Sequence, residues 1–388
     1  MGSEPGMGWN WITNIAKHCN VHVITEIEFQ DQILSALPDL QQGENIDFHF
    51  VDIGSDTIRQ MCWNQGDWRF YWHYRKWQLE ALAQARKIIA NHTIDLLHQL
   101  NMIGYREPGY LWRIEGIPLI WGPVGGFGQI PTSFVRQFPP AERVHQSFKN
   151  LINCYQFRGR RVQTAISRSS AILAANSVAY ETIARFKDDC VYLINETASY
   201  EPPDLPALSK GPGLRLCWVG RILPGKALFL AVEVMKKLRD KDVELTVVGV
   251  AESDVPVSFA SDNIEYLGKV SHAKALEQMR SSDAMLFTSL FEGTPHAVLE
   301  SLHLGVPVIC HDACGQGDVV NHRCGIKVRL ESPEVSVRGF VSAIEGLLDN
   351  REQLSVLANG ALDRAREITW SKRAEQVVGI YRQVLNGG

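Results

Sequence analysis

At 388 residues, with 45% hydrophobic and 21% charged side chains, the chain is too long for one ordinary core and suits two α/β domains of roughly 180 residues each. A net charge of -4 argues against a nucleic-acid partner, which demands clustered positive charge, and no apolar run approaches the ~18 residues of a membrane span. No leader of basic, apolar and small residues opens the sequence, and the eight cysteines (Cys19, Cys62, Cys154, Cys190, Cys217, Cys310, Cys314, Cys324) lack close pairing, so a cytoplasmic protein with free thiols is expected.

In chain order, Gly2, Pro5, Gly6 and Gly8 read as the glycine-rich loop that normally follows a first strand, so the fold is expected to begin one strand late. Short β-branched runs then alternate with helical stretches. Strands are predicted at Val21–Glu26, Ile46–Asp52, Ile94–His98, Pro118–Trp121, Ala171–Ala174 and Cys190–Ile194, with a long helix over Trp68–Asn91. Four prolines (Pro202, Pro203, Pro206, Pro212) mark Ser199–Gly213 as irregular. Strands resume at Leu214–Gly220, Glu244–Gly249, Ile264–Leu267, Ala284–Thr288, Val306–Cys310 and Gly325–Val328. The expectation is an α/β fold of two doubly wound Rossmann-like domains, residues 1–200 and 214–370, joined by a linker at 201–213. Residues 371–388 form a last helix that crosses back to the first domain, and ligands sit at the carboxyl ends of both sheets, facing one cleft.

The most specific motif is Leu290-Phe291-Glu292-Gly293-Thr294-Pro295-His296-Ala297-Val298-Leu299-Glu300, after a buried strand. Thr294 as N-cap and Pro295 as first helical residue would leave backbone N–H groups facing the cleft, where an anion is welcome. Helical spacing puts His296, Glu300 and His303 on one polar side and Val298, Leu299 and Leu302 on the side that packs. Glu300 can then accept bonds from paired ribose hydroxyls, and Glu292 can do the same for a transferred sugar. A second motif, Val219-Gly220-Arg221-Ile222-Leu223-Pro224-Gly225-Lys226, runs from a strand end into a turn and helix and offers two cations to a departing diphosphate.

Together these two motifs resemble the donor site of family-4 retaining glycosyltransferases of the GT-B fold. The resemblance extends over nearly the whole chain, from Gly2–Trp11 as the first loop to Trp370–Leu385 as the closing helix. It implies that Arg221 and Lys226 contact a donor diphosphate, Glu292 the transferred sugar and Glu300 the ribose, with Gly293, Thr294 and Pro295 lining the donor. It further implies front-side substitution without a metal or other cofactor. Many members of that family carry a His after the strand that here ends at Trp121, where this chain has Gly122-Pro123-Val124-Gly125-Gly126, so that role is not carried over. Gly125 and Gly126 either let the backbone approach a ligand or form a plain turn.

Other patterns carry less. Asp240-Lys241-Asp242 has a metal-binding form but reads as a charged turn, and Cys310, His311, Cys314, His322 and Cys324 match no zinc-finger spacing. His98 either touches an acceptor or is structural. Eight of the ten tryptophans precede the linker, and Trp63, Trp68, Trp72 and Trp77 fall near Arg69, Arg75 and Lys76. Such aromatic planes can pack on sugar rings or sit at a membrane interface. Residues Arg136, Arg143, Lys149, Arg158, Arg160, Arg161 and Arg168 form a basic stretch against Glu142 alone, which suits a lipid-linked acceptor at an anionic membrane surface. The expected activity is therefore transfer of a hexose from a UDP- or GDP-sugar to a glycan or lipid-linked glycan. A nucleotide-sugar epimerase, a sugar phosphorylase and a silent sugar-nucleotide binder remain as alternatives.

Overall fold

A computed structural model describes residues 4–54, 69–100, 102–203, 211 and 213–387; Gly2, Cys62, Trp63, Trp68, Pro206, Pro212 and the side chains of Lys149 and Cys154 lie outside the described residues. The first half carries strands β1 (Val21–Glu26), β2 (Ile46–Val51), β3 (Leu97–Gln99), β4 (Leu119–Val124), β5 (Ala171–Ala174) and β6 (Val191–Leu193). Its helices are α1 (Glu4–Ile15), α2 (Gln30–Ala36), α3 (Phe70–Asn91), α4 (Thr132–Val135), α5 (Pro140–Phe157), α6 (Arg160–Arg168) and α7 (Ser177–Ala184). The second half carries β7 (Leu214–Val219), β8 (Val243–Val248), β9 (Ile264–Gly268), β10 (Ala284–Phe287), β11 (Val308–His311) and β12 (Gly325–Val328). With them run α8 (Leu228–Lys237), α9 (His272–Ser281), α10 (His296–His303), α11 (Cys314–Val319), α12 (Pro333–Asp349), α13 (Arg351–Glu367) and α14 (Trp370–Asn386).

Strands β7 to β12 form one parallel sheet in the order β12-β11-β10-β7-β8-β9. The order reverses between β7 and β10, and at such a switch point the loops leaving the two central strands diverge and open a crevice. Both motifs lie there. Period-2 alternation fills both faces: Leu214, Leu216 and Trp218 join α8 and α12 in one core, while Cys217, Met285 and Phe287 join α10 in another.

The described strands of the first half form two sheets, where the alternation had implied one. β3-β4-β5-β6 run parallel in sequence order, with Ile120 and Leu173 facing α1 and α14, and Trp121 and Ile172 facing α6 and α7. β1 and β2 pair separately, and a cavity of about 1390 Å³ lies between β1 and β3, walled by α1, α3 and α14.

Two elements depart from expectation. Gly6 and Gly8 lie within α1, not in a loop, because Met7, Trp11 and Ile15 at helical spacing are buried against β4, β5 and α14. That packing outweighs the ~1 kcal/mol that each glycine costs a helix interior. β4 runs on past Trp121 through Gly122, Pro123 and Val124, with a register shift against β5. A Cβ at Gly122, whose φ is +130°, would lie 2.3 Å from the carbonyl oxygen of Leu173. Only glycine allows that approach.

The chain crosses between the halves twice at one place. Ser199 N–H donates to the carbonyl of Ile368 at 2.9 Å, and Trp370 N–H to the carbonyl of Ser199 at 3.0 Å. Beyond this crossing α14 buries Trp370, Ala374, Val377 and Ile380 against α1 and the four-stranded sheet.

Candidate active site

The turn after β7 and the loop after β10 meet at the switch point. Lys226 ends a 3-10 turn (Pro224–Lys226), and its Nζ lies 2.6 Å from Oε1 of half-buried Glu292. The same ammonium stands 5.5 Å from the centre of the Phe287 ring. Thr288 holds this turn in place. Its buried Oγ1 accepts from Trp218 Nε1 at 2.9 Å and lies 3.0 Å from the Lys226 carbonyl and 3.1 Å from that of Ala227. Leu290 N–H adds a bond to the Gly225 carbonyl at 2.8 Å. Arg221, just beyond β7, is exposed and makes no hydrogen bond or ion pair among the described residues.

Glu300 sits on α10 as expected, and its Oε1 meets His272 Nε2, at the start of α9, at 2.8 Å. His296 is half-buried on the same helix, and desolvation holds its imidazole below the ordinary value against the pull of Glu300. The cap differs from expectation. Pro295 is the N-cap of α10, and Thr294 does not cap it. Thr294 N–H and Oγ1 instead donate to the two carboxylate oxygens of Glu196, at 2.5 and 2.6 Å. The N–H groups of His296 and Ala297 take no acceptor among the described residues, so the helix start still offers donors there.

No local pattern marks Glu196 in the sequence. It follows β6 in the first half, is buried, and has its backbone carbonyl held by Trp11 Nε1 at 2.9 Å. Burial raises its carboxyl pKa, while the two Thr294 bonds and nearby Arg373 pull it back down. Gly293 must be glycine beside it, since a Cβ there would fall 2.2 Å from Glu196 Oε1. From the other side α11 presses on the same loop: a Cβ on Gly315 would fall 1.6 Å from the Gly293 carbonyl oxygen. Cys314, at φ +53°, lies against Glu292, and burial pushes its thiol up to about 11. Across the crevice Gly128 touches the Phe291 ring so closely that a Cβ would sit 1.9 Å from it.

The remaining candidates are held by their own neighbours. Gly125 donates to the Ile103 carbonyl at 2.7 Å and accepts from Tyr105 N–H at 3.2 Å, so its backbone is not open to a ligand. Gly126 follows at φ +86°. His98 has both ring nitrogens engaged, at 2.6 Å from the Gly122 carbonyl and 2.6 Å from Tyr381 OH. A carbonyl can only accept, so Nε2 carries the proton and Nδ1 receives the tyrosine hydroxyl. Burial lowers this imidazole to about 4. His311 is likewise fixed between the Ser289 carbonyl and Ser336 Oγ, and Cys310 and Cys324 beside it are free thiols. Arg161 is not part of a solvated patch: with Arg75 it pairs with buried Glu107, and Arg168 pairs with Glu115. Gly6 and Gly8 line the cavity beside β1, away from the switch point.

Residues 208–364 match the family model described as glycosyl transferases group 1. These residues form a group 1 glycosyl transferase domain. The motifs at Arg221–Lys226 and Glu292–Glu300 both fall inside the group 1 domain. A capsular polysaccharide biosynthesis glycosyltransferase of Staphylococcus aureus is 27% identical over 157 residues, which are 38% of this chain and 43% of that protein. The chain spans less than half the length of the curated relatives it matches. A glycosyltransferase structure from Rickettsia africae superposes with TM-score 0.64 at 12% identity, covering 99% of this chain and 96% of that one. Anabaena HepE in complex with UDP and glucose gives 0.57 at 12% identity, covering 99% and 97%. Beyond the group 1 domain the likeness is one of fold, and that fold is GT-B.

Proposed function

We propose that the protein transfers a sugar from a nucleoside diphosphate donor to a glycan acceptor, with anomeric configuration retained. The observation that carries this reading is the Lys226–Glu292 pair at the switch point, with exposed Arg221 and the open start of α10 nearby. As the glycosidic bond breaks, negative charge grows on the departing diphosphate. Fixed cations and helix-start N–H groups can meet that charge without rearranging, and no metal is required by the residues at hand. Glu292 would hold hydroxyls of the sugar and Glu300 those of the ribose. Both carboxylates are already tied to Lys226 and His272, which suits positioning better than nucleophilic attack. Front-side substitution, with the leaving phosphate taking the acceptor proton, fits that arrangement.

The acceptor side is read from α5. Val144, Phe148, Leu151 and Tyr155 recur at helical spacing and all point to solvent, flanked by exposed Arg136, Arg143, Arg158 and Arg160. An apolar stripe edged by cations suits an interfacial helix, and hence a lipid-linked acceptor at an anionic surface. Trp72, also exposed, adds an aromatic face on α3.

The test is calorimetry with UDP and GDP, followed by turnover of the matching sugar nucleotides with and without EDTA. Glu300→Gln should weaken the bare nucleotide at least tenfold, whereas Glu292→Gln should keep that affinity and lower turnover at least a hundredfold. Equal loss of nucleotide affinity in both variants overturns the division of roles. Loss of rate in EDTA that magnesium restores overturns the metal-free mechanism, and phosphorolysis or isomerisation of the donor without acceptor overturns the transfer itself.

A further inference from the structure

We propose that His22, Asp47 and His49 form a binding site for a zinc-like divalent cation on the β1–β2 ribbon, remote from the donor crevice. The parallel register sets His22 beside Asp47, and His49 lies two residues further along β2. Side chains alternate along a strand, so all three stand on one face. His22 Nδ1 is 3.2 Å from His49 Nε2 and 3.5 Å from Asp47 Oδ2. The three ligand atoms lie within 4.8 Å of one another. Bonds of 2.0–2.1 Å to a tetrahedral ion place neighbouring ligand atoms about 3.3–3.4 Å apart, and the two measured edges bracket that value.

Hydrogen bonding alone accounts for less of this. His22 Nδ1 faces a ring nitrogen and a carboxylate oxygen at once, and one proton on that nitrogen can satisfy only one of them. A cation satisfies all three. The surroundings also resemble those of a ligating imidazole. The Gln84 amide nitrogen lies 3.5 Å from His49 Nδ1; with the amide turned by 180°, its oxygen takes that place and receives the ring N–H that fixes the tautomer once Nε2 binds metal. The His92 ring, at the end of α3, stands 4.6 Å from that of His22 and closes another side. Two imidazoles and one carboxylate favour zinc, cobalt, nickel or copper over magnesium or calcium, which take oxygen ligands. A bound ion would clip β1 to β2.

The experiment uses the full chain, stripped with chelator and dialysed. Zinc chloride should raise the melting temperature while magnesium chloride does not, and cobalt(II) should give the intense visible bands of a tetrahedral site. Asp47 is exposed, so Asp47→Asn retains the fold and should weaken zinc affinity at least tenfold; His49→Gln should do the same or more. Gln84→Ala should weaken it by about 10–100-fold, the usual effect of losing an outer partner of a ligating histidine. Cys19→Ser, a nearby half-buried thiol, should change nothing. No response to zinc, a response unaltered in Asp47→Asn and His49→Gln, one abolished by Cys19→Ser, or a pale octahedral cobalt spectrum would each overturn the proposal.

Discussion

Both donors of Thr294 face Glu196, which comes from the other half of the chain, 98 positions earlier. A buried carboxylate both helps and harms here: it satisfies two donors, yet its charge is poorly solvated. Replacing it should separate the two effects. Glu196→Ala orphans the Thr294 N–H and opens a small void, so a cost of about 2–4 kcal/mol is expected from urea midpoints at constant m. Glu196→Gln keeps one acceptor and removes the charge, so about 1 kcal/mol or less is expected. Equal costs would mean that the charge itself holds the loop. Acid should act through the histidines. His98 and His311 are each lowered from 6.5 to about 4 by burial, so the unfolded chain binds their protons first. The stability they contribute is present above pH 6.5 and is lost as pH falls through about 4. For buried His311 the full shift corresponds to roughly 3 kcal/mol. Glu196, raised by burial, acts in the opposite sense. Urea titrations from pH 7 to 4 should show the loss, and His311→Asn should flatten it; an unchanged slope in that variant would refute the assignment.

Among the elements, the turn that carries Lys226 depends on β10 through one hydroxyl. Thr288→Val preserves shape but leaves the buried Trp218 indole N–H without an acceptor, at about 1–3 kcal/mol, and frees the turn. Turnover should fall by more than affinity for the intact sugar nucleotide, because the charge that Lys226 is proposed to meet grows only as the glycosidic bond breaks. A stability loss with unchanged turnover would refute that. No local motif announces Thr288, since its partners lie 61 to 70 residues away. The same distance effect decides what the sequence reveals elsewhere. β1, β5 and β12 match their predicted ranges residue for residue, because a β-branched or apolar run bounded by turn residues is a local signal. The helix starting at Glu4 was hidden by two glycines and a proline, and only burial of Met7, Trp11 and Ile15 explains it. Thr294 reads as a cap by local rule, and a carboxylate from the other half overrides that rule. The placement of the Arg221–Lys226 and Glu292–Glu300 motifs on strand ends, turns and a helix was legible because those elements lie together in sequence. The division of the first half into two sheets was not, because pairing between strands leaves no mark on either one alone.

For the whole molecule, among the described residues no helix is long and apolar enough to cross a membrane. If α5 contacts a lipid surface, Phe148→Ser and Leu151→Ser should release the protein from anionic liposomes in a co-sedimentation assay. Arg158→Gln with Arg160→Gln should weaken binding by about 2 kcal/mol, roughly thirtyfold, at low salt. Donor affinity should be unchanged in all of them. A parent protein that ignores such liposomes at low salt leaves a glycan acceptor free of lipid as the better reading. The closing helix α14 has a consequence of a different kind. It completes a core whose members run from Met7 to Ile380, and no shorter portion of the chain contains that core. During translation the first half emerges early, but the face it presents to α14 stays uncovered until Ile380 has left the ribosome. At 5–20 residues per second, the interval between Trp11 and Ile380 is about 20–75 s. The core of the first half thus closes only after the second half has been made, and through that interval the nascent protein depends on whatever shields Trp11 and its neighbours.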